Sequence, residues 1–129
     1  MRILFVHQNF PGQYLHVVQR LARQEGHQLV ALGINELDTD RPLPESLQYF
    51  RYPLAQGNTK GIHRWVMEME SKTIRAEGCA RAAHELKTKG FTPDLICAHP
   101  GWGEALFLKT VWPDSPLLCY QEFFYNHQG

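Results

Sequence analysis

Short apolar runs alternate along this chain with longer stretches of helical periodicity. The first run, Ile-Leu-Phe-Val at 3–6, has no polar interruption, which is typical of a strand covered on both faces of a parallel sheet. Similar runs at 28–33, 47–52, 95–98 and 117–120 predict four more strands, of which the one at 47–52 is the least regular. The pattern therefore predicts a sheet of about five strands.

Helical patterns separate most of these runs. Pro11 can open a first helix, which Gly26 ends as a C-terminal cap, and a short helix is predicted over 104–111. The longest helix is predicted to begin near Ile62 and to end at Gly90, with small or apolar residues at Ile62, Val66, Met69, Thr73, Ala76, Ala80 and Ala83. Gly78, within it, marks either a break or a close helix contact.

The element order β-α-β-β-α-β-α-β restricts the topology. Helical crossovers between parallel strands are almost always right-handed, and the strand order 3-2-1-4-5 accommodates this sequence of elements. We therefore predict a three-layer, Rossmann-like α/β domain with a mostly parallel sheet.

Composition and charge indicate the general class of protein. A chain of 129 residues with 43% hydrophobic content fits one globular domain over 1–129. Its 13 basic residues balance 13 acidic residues, so charge predicts no nucleic-acid partner. The three cysteines lack C-x-x-C spacing, and no run approaches the length of a signal peptide core or a membrane span. These features predict a cytoplasmic protein.

The candidate chemistry lies where strands one, four and five end. In the predicted order, strands one and four are neighbours, and ligands bind in the crevice beyond their carboxyl ends. The histidines, amides, glycines and carboxylates there suit a polyol or sugar, because they can bond hydroxyl groups and allow close backbone approach. The candidate residues are His7, Gln8, Asn9, Gly12, Gln13, His99, Gly101, Trp102, Gly103, Glu104 and Glu122.

Plainer interpretations compete at several of these positions. A histidine at a strand end often bonds only local backbone, and for Trp102 packing is favoured over stacking on a ligand. His7, His99 and Glu122 contain metal-ligand types, but no single-helix H-x-x-x-H supports a metal site, and we predict none. The basic segment 60–64 before the long helix, with Lys60, His63 and Arg64, is interpreted as a solvated loop rather than an anion site.

Familiar nucleotide motifs are missing from the first turn. The loop after strand one has one glycine instead of G-x-G-x-x-G, and strand two ends in Gly33 rather than an acid. The chain also lacks the phosphate loop G-x-x-x-x-G-K-[ST] and a Gly-x-Ser-x-Gly elbow. These absences argue against dinucleotide binding in the usual mode and against a serine hydrolase.

Two segments carry a resemblance to a known family. The segment 1–13, MRILFVHQNFPGQ, and the segment 93–104, PDLICAHPGWGE, together resemble the N-terminal domain of bacterial family 4 glycosyltransferases. The resemblance covers nearly the whole chain. Many members carry two adjacent glycines after the first strand, where this sequence has Pro11-Gly12; a histidine at the position of His99 is frequent in the family.

The resemblance implies a two-domain GT-B enzyme of which this chain is the acceptor-side half. It implies retaining transfer of a hexose from a UDP- or GDP-sugar to an acceptor hydroxyl, with no essential metal and no cofactor bound by this half alone. It also implies a catalytic role for His99, a glycan, lipid-linked or small-molecule acceptor, and a donor-binding C-terminal domain. Three aromatic residues in 123–129 suggest that further chain packs there.

Two other functions stay open at this point. The chain could form a self-sufficient module that binds a sugar or nucleotide without catalysis, or a small Rossmann-type reductase that binds nicotinamide or flavin. Peripheral membrane contact is also open, as is a homodimer formed through an exposed edge strand.

Overall fold

Five parallel strands form one sheet in the order β3-β2-β1-β4-β5. The structure is a computed structural model that describes residues 1–37 and 42–122. The sheet confirms the predicted strand number, direction and order, and each strand begins within a residue of its predicted start. The strands are β1 Arg2–Val6, β2 Gln28–Gly33, β3 Leu47–Arg51, β4 Leu95–Ala98 and β5 Leu117–Cys119.

The helices depart from prediction mainly at their ends. Helix α1 covers Leu15–Leu21 after a 3-10 turn at Gly12–Tyr14, and ends five residues before Gly26. Helix α2 covers Met67–Thr88, so the residues from Ile62 to Val66 lie outside it. The predicted helix over 104–111 divides into a 3-10 turn, Glu104–Phe107, and α3, Leu108–Val111.

The core lies on both faces of the sheet, which explains the uninterrupted apolar run of β1. Leu4 and Val6 pack into a cluster with residues of α2 and α3, whereas Ile3 and Phe5 pack into a second cluster with α1. Successive side chains of a strand point to opposite faces. A central strand with helices on both sides therefore has no position for an exposed polar residue.

Gly78 marks a close contact rather than a break, since α2 is continuous through it. A Cβ atom at this position would lie 3.1 Å from the carbonyl oxygen of Pro53 and 3.2 Å from the ring of Tyr52. The glycine lets α2 approach the chain just after β3. Part of the polar stretch predicted between Asn35 and Pro44, and the aromatic residues of 123–129, lie outside the described residues.

Candidate functional site

The switch point of this sheet is the place between β1 and β4 where the strand order reverses. The two histidines predicted there are neighbours. Val6 pairs with Ala98 across β1 and β4, so the next residue of each strand leaves the sheet at the same edge. The rings of His7 and His99 meet edge to face with their centroids 5.3 Å apart. Both residues are 5% exposed, so the two rings are buried at this edge of the sheet.

Each imidazole accepts a hydrogen bond from its own loop. The backbone N–H of Asn9 donates to Nδ1 of His7 at 3.1 Å, and that of Gly101 donates to Nδ1 of His99 at 3.2 Å. A neutral histidine that accepts at Nδ1 carries its proton on Nε2. The local-backbone interpretation is thus correct for one nitrogen of each ring, while the other presents an N–H donor.

Glycines allow both loops to fold back over the rings. A Cβ atom at Gly12 would lie 2.6 Å from Cε1 of His7, and one at Gly101 would lie 2.7 Å from Cε1 of His99. Gly12 also has a φ of +48°, which disfavours other residue types. The glycines predicted for ligand access therefore also provide space for the imidazoles.

Glu122 connects the first loop to the end of β5. The side-chain amide nitrogen of Gln13 donates to Oε1 of Glu122. The other carboxylate oxygen, Oε2, lies 3.1 Å from Nε2 of His99, in a direction that does not form a hydrogen bond. The Nε2 donor of His99 is therefore close to an acceptor but is not satisfied by it.

Burial is the main influence on the charge of His7. Desolvation lowers its pKa below the ordinary 6.5, and the neighbouring His99 lowers it further. The hydrogen bond from Asn9, the charge of Glu122 and the side chain of Gln13 act in the opposite direction without reversing the shift. His7 is consequently a neutral hydrogen-bonding group near pH 7.

An open groove of about 460 Å³ lies beside His99. The indole of Trp102 forms one part of its wall, stacks on the His99 ring at a centroid distance of 5.9 Å, and is 40% exposed. The groove therefore combines aromatic faces with charged groups. Its other lining side chains include Glu68, Lys72, Tyr120 and Glu122.

The remaining residues predicted from the first loop lie outside this groove. The backbone carbonyl of Gln8 accepts from the N–H groups of Ile34 and Asn35, and the side-chain oxygen of Asn9 accepts from the Asn35 amide. These contacts join the loops after β1 and β2. Gln8 and Asn9 thus hold the loop that surrounds His7, and His7 itself lies behind His99.

Glu104 faces the protein interior. It is 1% exposed, and the hydroxyl of Tyr52 donates to its Oε1 at 3.0 Å. Its Oε2 has no hydrogen-bond partner among the described residues. Burial raises the pKa of this carboxyl group above its ordinary value, with smaller opposing effects from hydrogen bonds and from Arg75. We call residues 99–103, between β4 and the 3-10 turn at Glu104–Phe107, the Trp102 loop. Glu104 directly follows this loop, and its bond to Tyr52 holds the end of the loop from the side of the protein interior.

The Trp102 loop is also fastened to α2. Nε of Arg75 donates to the carbonyl oxygen of Trp102 at 2.7 Å. Gly103 packs so tightly on the helix that a Cβ atom would lie 2.3 Å from the carbonyl oxygen of Lys72. Gly103 is therefore a structural contact point, and it fixes the wall of the groove relative to α2.

Sequence reasoning did not identify Glu68, Lys72, Tyr120 or Tyr52. Tyr120 follows β5 and could have been included with the strand ends. Glu68 and Lys72 form an ion pair of 2.7 Å, whose four-residue spacing is also typical of any solvated helix face. No local signal indicated which face of α2 reaches the groove.

Residues 1–37 and 42–122 contain neither a candidate metal centre nor a helix that could span a membrane. No group of three or more His, Cys, Asp or Glu side chains there is arranged to hold a metal ion. In the same residues, no helix has both the length and the apolar character needed to cross a bilayer.

A model of a known protein family matches most of the chain. The model of the glycosyl transferase family 4 group matches residues 25–129. The chain belongs to this family. The match includes the His99 segment and begins after α1, and no curated protein matches the chain. The chain therefore carries a glycosyltransferase-type module.

Proposed function

We propose that this chain is the acceptor-binding, N-terminal domain of a retaining GT-B glycosyltransferase. The enzyme would transfer a hexose from a UDP- or GDP-sugar, held by a second domain, to a hydroxyl group of a glycan, lipid-linked or small-molecule acceptor. Family membership supports the transferase class. The finer assignment depends on the site at the carboxyl edge of the sheet.

The observation that carries the proposal is the groove beside His99. It opens at the carboxyl edge of the sheet, beyond the ends of β4 and β5 and next to the switch point between β1 and β4, where ligands of α/β domains bind. The half-exposed indole of Trp102 offers a face on which a sugar ring can stack, and Lys72 and Glu68 offer a donor and an acceptor for hydroxyl groups.

His99 is the residue that we assign to the reacting sugar. Its Nδ1 is occupied by the Gly101 N–H, so its Nε2–H is the group available to a substrate oxygen. That oxygen has to lie beside the Glu122 carboxylate or replace it, because Oε2 of Glu122 is only 3.1 Å from Nε2. A donor fixed by its own loop stabilises developing charge without reorganisation.

The test is sugar transfer by the two-domain protein, measured with a panel of UDP-, GDP- and ADP-sugars. We expect one donor class to be used, and His99→Ala to lower kcat/KM by about 100-fold or more. The matched control is His84→Ala, an exposed histidine of α2. A loss within about twofold for His99→Ala would remove the assigned role.

The same panel tests the domain assignment. Activity of the two-domain protein, together with inactivity of residues 1–129 alone, is the expected result. If neither is active and the 129-residue chain still binds a sugar or nucleotide, the proposal is wrong and the chain is a recognition module.

A further inference from the structure

A cavity of about 190 Å³ lies between α1 and the last two strands of the sheet, β4 and β5, and its lining is almost entirely apolar. Three of its side chains reach the surface, since Val17 is 46% exposed, Leu118 59% and Tyr120 47%. Apolar side chains grouped around a cavity, rather than scattered over a surface, indicate a binding site. We call this space the Tyr14 cavity. Its lining includes Phe5, Tyr14, Val17, Cys97, Leu118 and Tyr120.

The size of the Tyr14 cavity fits one aromatic ring. Apolar cavities of about 150 Å³ stay free of water and can bind benzene, so a space of about 190 Å³ admits a ring with one small substituent. Aromatic side chains are already close to one another here. The rings of Phe5 and Tyr14 have their centroids 5.4 Å apart, and those of Tyr14 and Tyr120 meet edge to face at 6.1 Å. Further aromatic contacts of this kind are favourable.

The hydroxyl group of Tyr14 has no partner in this apolar lining. Tyr14 is 5% exposed, and its hydroxyl oxygen is buried with no hydrogen bond to any described residue. Burial raises the pKa of this phenol most, followed by the neighbouring Cys97, Cys119 and Tyr120, which all line the cavity. The hydroxyl therefore lies on the cavity side of the ring. Because a buried hydroxyl without a partner is costly, a ligand that bonds it gains free energy.

Water is a poor occupant of the space around this hydroxyl. An ordered buried water needs roughly two to four hydrogen-bond partners, and an apolar cavity does not supply them. The thiols of Cys97 and Cys119 bond only weakly. The side-chain amide nitrogen of Gln13, which also lines the cavity, already donates to Glu122. An apolar molecule with a single polar group fits these surroundings better than water does.

We propose that the Tyr14 cavity binds a small phenol. The apolar ring of the phenol fills the space between α1 and β5, and its hydroxyl exchanges a hydrogen bond with the Tyr14 hydroxyl, which can donate or accept. A ring without a hydroxyl leaves Tyr14 unpaired. A sugar brings several hydroxyl groups for which an apolar lining has no partners. The lining therefore selects an aromatic ring with one hydroxyl group.

The cavity is next to the groove beside His99. Tyr120 lines both spaces, so one side chain separates the apolar cavity from the charged groove. The binding of a phenol does not rest on the proposed transferase function, because the cavity includes neither His99 nor Trp102. Its test needs no activity.

The experiment is fluorine NMR of two probes, 4-fluorophenol and fluorobenzene, titrated with the 129-residue chain. We expect 4-fluorophenol to bind roughly fivefold more tightly, since only this probe can bond the Tyr14 hydroxyl. Tyr14→Phe should remove that preference and leave the affinity for fluorobenzene within about twofold. The matched control is Tyr49→Phe, whose lost hydroxyl bonds the Asn35 carbonyl outside the cavity.

Val17→Phe tests whether the probes enter this cavity. A larger side chain at its edge takes up part of the space, so the affinity for both probes should fall roughly fivefold or more. Leu106→Phe enlarges another exposed apolar side chain, away from the cavity, and should change neither affinity. Circular dichroism checks that every variant is folded.

Four results would overturn the proposal. They are a lack of saturable binding, equal affinities for the two probes, equal effects of Tyr14→Phe and Tyr49→Phe, and equal effects of Val17→Phe and Leu106→Phe. The two-domain protein is titrated in the same way. If it binds neither probe while the 129-residue chain binds both, further chain fills the cavity and the assignment of a phenol site is wrong.

Discussion

Two buried ionisable residues behind the groove respond to burial in opposite ways. His7 is charged when protonated, so desolvation lowers its pKa, whereas Glu104 is charged when deprotonated, so desolvation raises its pKa. Each shift makes stability depend on pH, because the folded and unfolded chains then bind different numbers of protons. The two residues can therefore be tested separately by substitution.

Glu104→Gln is expected to stabilise the protein at neutral and alkaline pH. The unfolded chain releases the Glu104 proton near 4.5 and the folded protein releases it at higher pH, so wild-type stability falls as pH rises through this interval. Glutamine keeps an acceptor for Tyr52 and has no charge to bury. Urea unfolding near pH 8 should give a gain of roughly 1–2 kcal/mol that disappears near pH 4. The exposed Glu85→Gln is the control, and a loss of stability near pH 8 would contradict the expectation.

His7→Asn is expected to reduce the loss of stability in mild acid. Below about pH 6.5 the unfolded chain takes up a proton that the folded His7 binds less readily, so the free energy of unfolding falls as pH drops. Asparagine can still accept from the Asn9 N–H but does not titrate. Unfolding measured at about pH 7.5 and 5.5 should show a smaller difference for this variant than for wild type or for the exposed His84→Asn. An unchanged difference would mean that His7 does not titrate in this interval.

The sequence could predict which residues lie at the strand ends, but not the direction of their side chains. His7 and His99 follow buried strands directly, so sheet order alone brings them together. Glu104 follows a loop, and whether it faces the groove or Tyr52 depends on packing that no local pattern encodes. The carboxylate of Glu122 likewise meets Gln13 only because β5 lies beside β4.

At the scale of elements, the site depends on how closely the Trp102 loop packs on α2. Gly103 combines a φ of +107° with backbone contact to Lys72, so an added Cβ would be strained in conformation and in space. Backbone cannot move aside as a flexible side chain can. The loop should therefore tolerate no other residue at this position.

Gly103→Ala is expected to lower the free energy of unfolding by roughly 2–4 kcal/mol, since it adds both left-handed strain and a clash with the Lys72 carbonyl. The matched control is Gly57→Ala, because nothing lies within 4 Å of a Cβ at Gly57 and its φ is not in the left-handed region. Both variants are measured by urea unfolding. Equal stability of the two would show that the loop can move away from α2 at little cost.

Periodicity predicted the existence of the helices better than it predicted where each helix begins and ends. Ile62, Val66 and Met69 continue the helical pattern, yet α2 begins only at Met67 and Val66 and Met69 are exposed. Side-chain bonds from Asn58 and Thr59 hold the preceding segment in a different path. Those bonds join residues across a turn, and a hydrophobic pattern does not report them.

At the scale of the molecule, the sheet was predictable because its strands are nearly all apolar. Two helical layers cover β1, so its sequence has no alternation and its central place follows. The all-parallel arrangement then follows from the helical crossovers that join most of the strands. The same feature makes β1 a component shared by both core clusters, which bears on how the protein unfolds.

Both helical layers are expected to unfold in one transition, because neither core cluster is complete without β1. Val18→Ala tests this on the α1 side, where Val18 is fully buried. Trp112 lies in the cluster on the opposite face, so its fluorescence follows the unfolding of that cluster. The substitution should cost roughly 1–3 kcal/mol and should shift the urea midpoint equally by far-UV circular dichroism and by tryptophan fluorescence. The exposed Val17→Ala, one residue away on α1, should change either midpoint much less. Different midpoint shifts in the two signals would mean that the two helical layers open separately, and β1 would then not couple the two faces.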